Sequence, residues 1–148
     1  MKILIIGTGK TTLAKKLSKQ YNIKYYEIDS IVHDDNNKIK RTSKQQDEII
    51  EKINNNVNWI IEGVLRKNLY YLLELADKII YLDISKKVRN RRILIRYIKQ
   101  KLGLEQANYV PSLNMLKNMY KWSEKYDKNK HEIMQILDKY KDKIEIIK

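Results

Sequence analysis

The chain has 148 residues, with 31 Lys+Arg against 18 Asp+Glu, no Cys, one Pro and four Gly. That length fits one domain able to bury roughly 70% of its unfolded surface, and 43% hydrophobic residues with so little Pro and Gly exclude a collagenous, linker-like or low-complexity chain. The lack of Cys excludes disulfides, thiolate metal sites and Cys nucleophiles, and no apolar run nears the roughly 20 residues that cross a bilayer, so a soluble, cytoplasmic protein without a membrane partner is expected.

Lys2–Ile6 is a short apolar run bounded by Gly7 and reads as a buried strand. Thr11 or Thr12 opens a helix with Leu13, Leu17 and Tyr21 on one face and Lys15, Lys16 and Lys19 on the other. Lys24–Ile28 is a second strand ending at Asp29. Asp34–Arg41 is a polar loop leading to a helix of about Ser43–Asn54. Asn58–Glu62 is a third strand, stopped by Gly63, and Arg66–Asp77 is a helix. Lys78–Leu82 is a fourth strand ending at Asp83. A basic helix of about Ser85–Leu102 follows, then a helix of about Ser112–Tyr140 with a candidate break near Asp127–Lys130, and a last strand Lys143–Ile147. Short apolar strands alternating with helices predict an α/β domain with a mostly parallel sheet covered on both faces, with no repeat, linker or second domain.

Such sheets bind ligands at the carboxyl ends of their strands. Gly7-Thr-Gly-Lys-Thr-Thr12 stands there, between first strand and first helix, and looks like the end of a phosphate-binding loop. Gly7 and Gly9 let backbone N–H groups turn toward a phosphate, the helix N-terminus adds partial positive charge, Lys10 reaches the terminal phosphates, and Thr11 holds Mg²⁺, with Thr8 and Thr12 beside them. The alternative is an ordinary strand-to-helix turn with an exposed lysine. The full pattern has four residues between its first glycine and Gly-Lys-[Ser/Thr], whereas only Thr8 follows Gly7 here, so the loop is three residues short. Either the shortening is genuine and weakens or abolishes nucleotide binding, or the numbered chain lacks three mobile residues. Neighbouring Cα atoms spaced well beyond about 3.8 Å between Gly7 and Gly9 would mark the second case.

Asp29 can orient a phosphoryl acceptor, or cap Ser30–His33. Glu62 and Asp83 are candidates for holding Mg²⁺ or its waters, or are helix caps. The net charge of +13 is uneven: Lys86–Lys101 carries eight basic and no acidic residues. There Arg89, Arg92 and Arg96 share a helix face, which suits a clamp on a transferring phosphate; a solvated basic face, or nucleic-acid contact, is the alternative. Val88, Ile93, Ile95 and Ile98 are available for packing. Trp59 and Trp122 are expected as core anchors. Tyr70, Tyr71, Tyr109, Tyr120 and Tyr126 fit packing better than base stacking, and His33 and His131 are read as structural or surface residues.

Taken together, Ile5-Ile-Gly with Gly9-Lys-Thr-Thr-Leu13, Tyr26-Glu-Ile-Asp29, Asn58-Trp-Ile-Ile-Glu-Gly63, Ala76-Asp-Lys-Ile-Ile-Tyr-Leu-Asp83, Arg92-Ile-Leu-Ile-Arg96 and Lys139-Tyr-Lys-Asp-Lys143 make a chain that resembles the bacterial DNA topology modulation proteins, P-loop proteins similar to adenylate and shikimate kinases. The resemblance implies a three-layer P-loop NTPase fold with a five-stranded parallel sheet of nucleoside-kinase type, an acceptor-binding insertion at about 30–56 and a basic helical lid at about 85–111. It implies that Lys10 and Thr11 bind ATP and Mg²⁺, that Asp29, Gly63 and Arg66 face the acceptor, and that Arg92 and Arg96 belong to the lid. Glu62 stands where related kinases have Asp. The function expected is phosphoryl transfer from ATP·Mg to a small molecule or nucleotide; the runner-up is a regulatory protein that binds nucleic acid through its basic helix.

Overall fold

All five expected strands form. In a computed structural model, which describes residues 1–34, 39–107 and 110–148, β1 spans Lys2–Gly7, β2 Tyr25–Glu27, β3 Trp59–Gly63, β4 Lys78–Leu82 and β5 Ile144–Ile147. They pair in parallel in the order β2-β3-β1-β4-β5. The chain divides into two compact units, one of Met1–Asp83 with Tyr140–Lys148 and one of Ile84–Lys139.

The first unit holds the sheet. Parallel strands must be joined by crossovers that lie on the sheet, so its central strands lose solvent on both faces. Leu4, Ile5, Ile60 and Ile61 are accordingly fully buried. Helix α1, Lys10–Tyr21, packs Leu13, Ala14 and Leu17 against Ile3, Ile5, Ile60, Ile80 and Leu82. It ends at Asn22, whose left-handed φ of 54° returns its N–H to Ser18 O, a common helix stop. On the alternate strand positions Leu4, Ile6, Ile61, Ile79 and Tyr81 are buried as well. Helix α2 is Ile28–Val32 and α3 is Ser43–Asn54. Thr42 caps α3 in a capping box with Gln45, so this helix starts where its sequence says it should. Trp59 is fully buried, and its Nε1 donates to Asn54 Oδ1 at 3.2 Å.

Two expectations change in this unit. Strand β2 is shorter than Lys24–Ile28, because Ile28 already begins α2. Arg66–Asp77 is one 3-10 turn, Lys67–Leu69, and a short helix α4, Leu72–Leu75. Tertiary bonds pin both of its ends: Arg66 reaches Asp29 at 3.1 Å, and the Asp77 N–H donates to Lys2 O at 2.8 Å, leaving room for little helix between them. Within Asp34–Arg41, residues 35–38 lie outside the described residues, and the flanks close through an antiparallel bridge of His33 with Lys40.

The second unit is a helical pair, α5 at Lys86–Lys101 and α6 at Leu113–Leu137, capped by the Ser85 and Ser112 hydroxyls. Helix α6 runs unbroken through Asp127–Lys130. Trp122 is 60% exposed and is no core anchor: the next residue, Ser123, is the buried one, and one step along a helix turns a side chain by about 100°. Val88, Ile95 and Ile98 are likewise exposed. The buried face of α5 is set by Arg89 and Gln100, so the packing expected of those three does not form. Tyr70, Tyr71, Tyr120 and Tyr126 are half-buried, whereas Tyr109 lies outside the described residues.

Candidate functional site

Strand β1 passes into α1 through Gly7, Thr8 and Gly9. Gly7 has φ +107° and lies in register with Leu82; a Cβ there would stand 2.3 Å from Leu82 O. Only glycine allows β1 and the end of β4 to approach so closely. The Thr8 N–H donates to Leu82 O at 3.3 Å and therefore faces the sheet. Gly9, with φ +77°, takes the N-cap position of α1 and offers no side-chain cap, which leaves the first-turn N–H groups of a twelve-residue helix open to an anion.

Two side chains of that first turn point back to the strand ends. Lys10 Nζ donates to Gly7 O at 2.9 Å, across the mouth of the turn. Thr11 Oγ1 donates to Glu62 Oε1 at 2.6 Å. Glu62 is 3% exposed, and burial raises its pKa against the opposing pull of the Thr11 hydroxyl and Lys10. Burial lowers the pKa of Lys10, against the attraction of Glu62, Asp29 and Glu27. Glu27 was not singled out from sequence, yet parallel pairing sets it in register with Glu62, and its charge acts on both Lys10 and Glu62. Its sequence signal is Tyr26-Glu-Ile-Asp29, which sets Glu27 two residues before Asp29 at the same strand end.

The half-buried Lys10 ammonium has a stability consequence of definite sign. Folded Lys10 gives up its proton more readily than unfolded Lys10, whose ordinary value is 10.5. Below that window the folded state carries the burden of holding the charge, and stability rises as pH climbs toward 10.5. Lys10→Met removes this burden. Thermal melts from pH 7 to 10.5 are expected to show the variant more stable than wild type at pH 7, with the gap closing as pH rises; a gap that stays constant contradicts the assignment.

The arrangement fits part of a magnesium nucleotide. The Lys10 ammonium and the open first turn of α1 match a terminal phosphate, and the Thr11 hydroxyl beside Glu62 matches a hydrated Mg²⁺. Thr8 Oγ1, buried with no hydrogen-bond partner, adds an unused polar group at the turn. Successive N–H groups that would wrap a β-phosphate are missing, because Thr8 is the sole residue between the glycines. Thr12 is exposed on the same first turn.

Asp29 stands in the first turn of α2, with Glu27 at the N-cap position, so it is not the cap of Ser30–His33. Its Oδ1 pairs with Arg66 Nη2 at 3.1 Å. Gly63 makes this neighbourhood possible: a Cβ on it would lie 2.5 Å from Ile28 Cβ, so glycine brings the end of β3 against the start of α2. The structure thus gathers Lys10, Thr11 and Glu62, and joins Asp29 to Arg66. Asp83 is half-buried past the end of β4, where its N–H donates to Ile147 O at 2.8 Å. Among the described residues no three His, Cys, Asp or Glu side chains form a metal cage.

Arg89 leaves the phosphate-binding set. Its guanidinium donates to Ser123 Oγ at 2.7 Å, Ser123 O at 3.0 Å and Ile84 O at 3.1 Å, and pairs with Asp127 at 2.7 Å. The residue is 7% exposed, and every one of these bonds ties α5 to α6 or to its own N-terminal flank. Arg89→Ala is expected to destabilise the helical pair by about 2–3 kcal/mol, read as faster amide hydrogen exchange in α5 and α6 while the sheet amides keep their protection. Arg92 is exposed, and Arg96 pairs with Glu105 at 3.2 Å. His131 is exposed beside Gln135.

No curated protein matches the chain significantly. Among solved structures, an uncharacterized protein from Eubacterium ventriosum is similar in fold, with a TM-score of 0.50 and 21% sequence identity over 84% of this chain and 76% of that one. The family model described as AAA domain (AAA_18) matches residues 5–110, from the heart of β1 through the phosphate turn and past α5. With that match over most of its length, the chain belongs to the AAA domain family of P-loop NTPases.

Proposed function

We propose that the protein transfers a phosphoryl group from ATP·Mg to a small hydroxyl-bearing acceptor. The observation that carries this reading is the cluster of Lys10, Thr11 and Glu62 at the N-terminus of α1, on the sheet edge that also carries the Asp29–Arg66 pair. Lys10 and the first-turn N–H groups hold the terminal phosphate, and Thr11 with Glu62 holds Mg²⁺ and its waters. When bound, the ion neutralises phosphate oxygens as charge shifts toward the leaving diphosphate. Asp29 accepts the acceptor's hydroxyl proton as that oxygen bonds to the γ-phosphorus and the bond to the bridging oxygen of ADP breaks. Arg66 and Gly63 position the acceptor. The resemblance to the DNA topology modulation proteins supports a kinase-like reading.

An ATP-consumption screen across nucleosides, nucleotides and small alcohols tests the proposal, with consumption that depends on one acceptor as the expected result. Asp29→Asn should lower that turnover about 10²- to 10⁴-fold and leave the melting temperature nearly unchanged, since an exposed ion pair adds at most about 1 kcal/mol. Equal turnover in Asp29→Asn removes Asp29 from the chemistry. The basic helix favours a second reading, nucleic-acid binding. It predicts polynucleotide affinity that falls steeply with salt and survives Lys10→Ala.

A further inference from the structure

A cavity of about 710 Å³ runs along the outer edge of β2, between α1, α2 and α3. Its size falls within the roughly 300–1,000 Å³ of small-molecule sites. Because β2 is the edge strand, its outer side has no neighbour in the sheet. The two ends of the cavity differ in chemistry. Lys24 immediately precedes β2, Lys52 lies in the last turn of α3 and Asn56 just beyond it, and both segments lie at the amino-terminal edge of the sheet, since α3 leads into the start of the parallel strand β3. Neither Lys24 nor Lys52 has an ion pair among the described residues. The Lys24 ammonium lies 5.2 Å from the ring centre of Tyr26.

The middle of the cavity is apolar and aromatic. Tyr25 and Tyr26 line it from the strand, and Ile49 and Ile53 from α3. Strand alternation sends Tyr25 and Tyr26 to opposite faces, so they flank the edge rather than stack on each other. The far end carries Glu27 and Ser30, which disfavour an anion there and can accept a hydrogen bond. Two cations without an ion pair among the described residues at one end, aromatic and aliphatic walls, and acceptors at the other end specify polarity as well as size.

We infer that the β2 edge is a second ligand site, separate from the phosphate turn, that takes an amphipathic organic anion: a ring or short aliphatic body with its carboxylate, sulfonate or phosphate on Lys24 and Lys52. The charged head is held by charge-assisted hydrogen bonds, and the body leaves water against Tyr26, Ile49 and Ile53. The anion, not the apolar body, sets the orientation.

Anilinonaphthalene sulfonate, an aromatic sulfonate whose fluorescence rises on leaving water, is the probe, with neutral N-phenylnaphthylamine as its uncharged counterpart. Saturable one-to-one binding of the sulfonate is expected, with amide shifts confined to Lys24–Glu27 and Ile49–Asn56 in heteronuclear NMR spectra. K24Q/K52Q should raise its Kd at least about tenfold and leave the neutral probe unaffected. The exposed pair K19Q/K44Q, away from the cavity, should change neither. Tyr26→Ala should weaken both probes. No binding, equal effects of the two lysine pairs, or shifts outside the cavity would each overturn the inference. ATP·Mg should not displace the probe, so the outcome is independent of whether the phosphate turn binds nucleotide.

Discussion

Lys10→Ala is expected to abolish the ATP·Mg-dependent rise in melting temperature and to lower kcat/KM for ATP consumption at least about 10²-fold. The ammonium lies across the mouth of the Gly7–Gly9 turn, 2.9 Å from Gly7 O, so it is already at the place where a terminal phosphate would meet the N-terminus of α1. A longer loop would share that phosphate among several N–H groups. With Thr8 directed to Leu82 O, a larger share of the binding falls on this one side chain. Because burial disfavours the Lys10 charge, the variant should fold at least as well as wild type at neutral pH. A melting temperature without nucleotide no lower than that of wild type separates loss of binding from misfolding. Thermal shift with and without ATP·Mg reads the effect; an undiminished shift in Lys10→Ala puts the phosphate elsewhere.

Trp59→Ala is expected to lower stability by about 3–5 kcal/mol, a fall in melting temperature of the order of 10 °C for a chain of this size. The ring is fully buried, and its Nε1 holds Asn54 Oδ1 at the end of α3, where Lys2 Nζ also donates at 2.8 Å. Truncation leaves a cavity between β3 and α3 and takes the indole donor from Asn54. Trp59 starts β3, and β3 ends at Glu62 and Gly63, so slippage of this strand is felt at the functional edge. Chemical denaturation checks the magnitude. A loss below about 1 kcal/mol would mean that the pocket collapses around alanine.

Much of the sheet was legible because parallel strands are nearly all apolar and stop at glycine or an acid: Lys2–Ile6 at Gly7, Asn58–Glu62 at Gly63, Lys78–Leu82 at Asp83. Helix α3 was equally clear, since Thr42, Gln45 and the spacing of Ile50 and Ile53 all place it in the same register. Where tertiary bonds decide, sequence pattern fails. The segment after Arg66 has helical spacing, yet its ends are fixed by Asp29 and Lys2. Trp122 and Arg89 exchange their expected places for a similar reason: the α5–α6 contact is built on a buried guanidinium and Ser123, which no hydrophobic pattern announces.

The candidate site was legible in its parts. Lys10, Thr11, Glu62, Asp29, Gly63 and Arg66 each stand at or shortly after the carboxyl end of a strand, and the parallel sheet delivers all of them to one edge. What sequence could not show was which of them touch. Thr11 belongs to Glu62 and Arg66 to Asp29, and glycine at 63 lets the end of β3 lie against Ile28 beside Asp29. An acid inside a strand carries no sequence sign of its neighbours; parallel pairing with Glu62 makes Glu27 part of the field around Lys10.

Isothermal titration of the wild-type protein with ATP in the presence and absence of Mg²⁺ tests the central claim most directly, that the shortened turn with Lys10 and Thr11 binds a nucleotide. Saturable one-to-one heat that requires Mg²⁺ and disappears in Lys10→Ala is the result expected. A wild-type titration without heat, joined by a melting temperature indifferent to ATP·Mg, would contradict it.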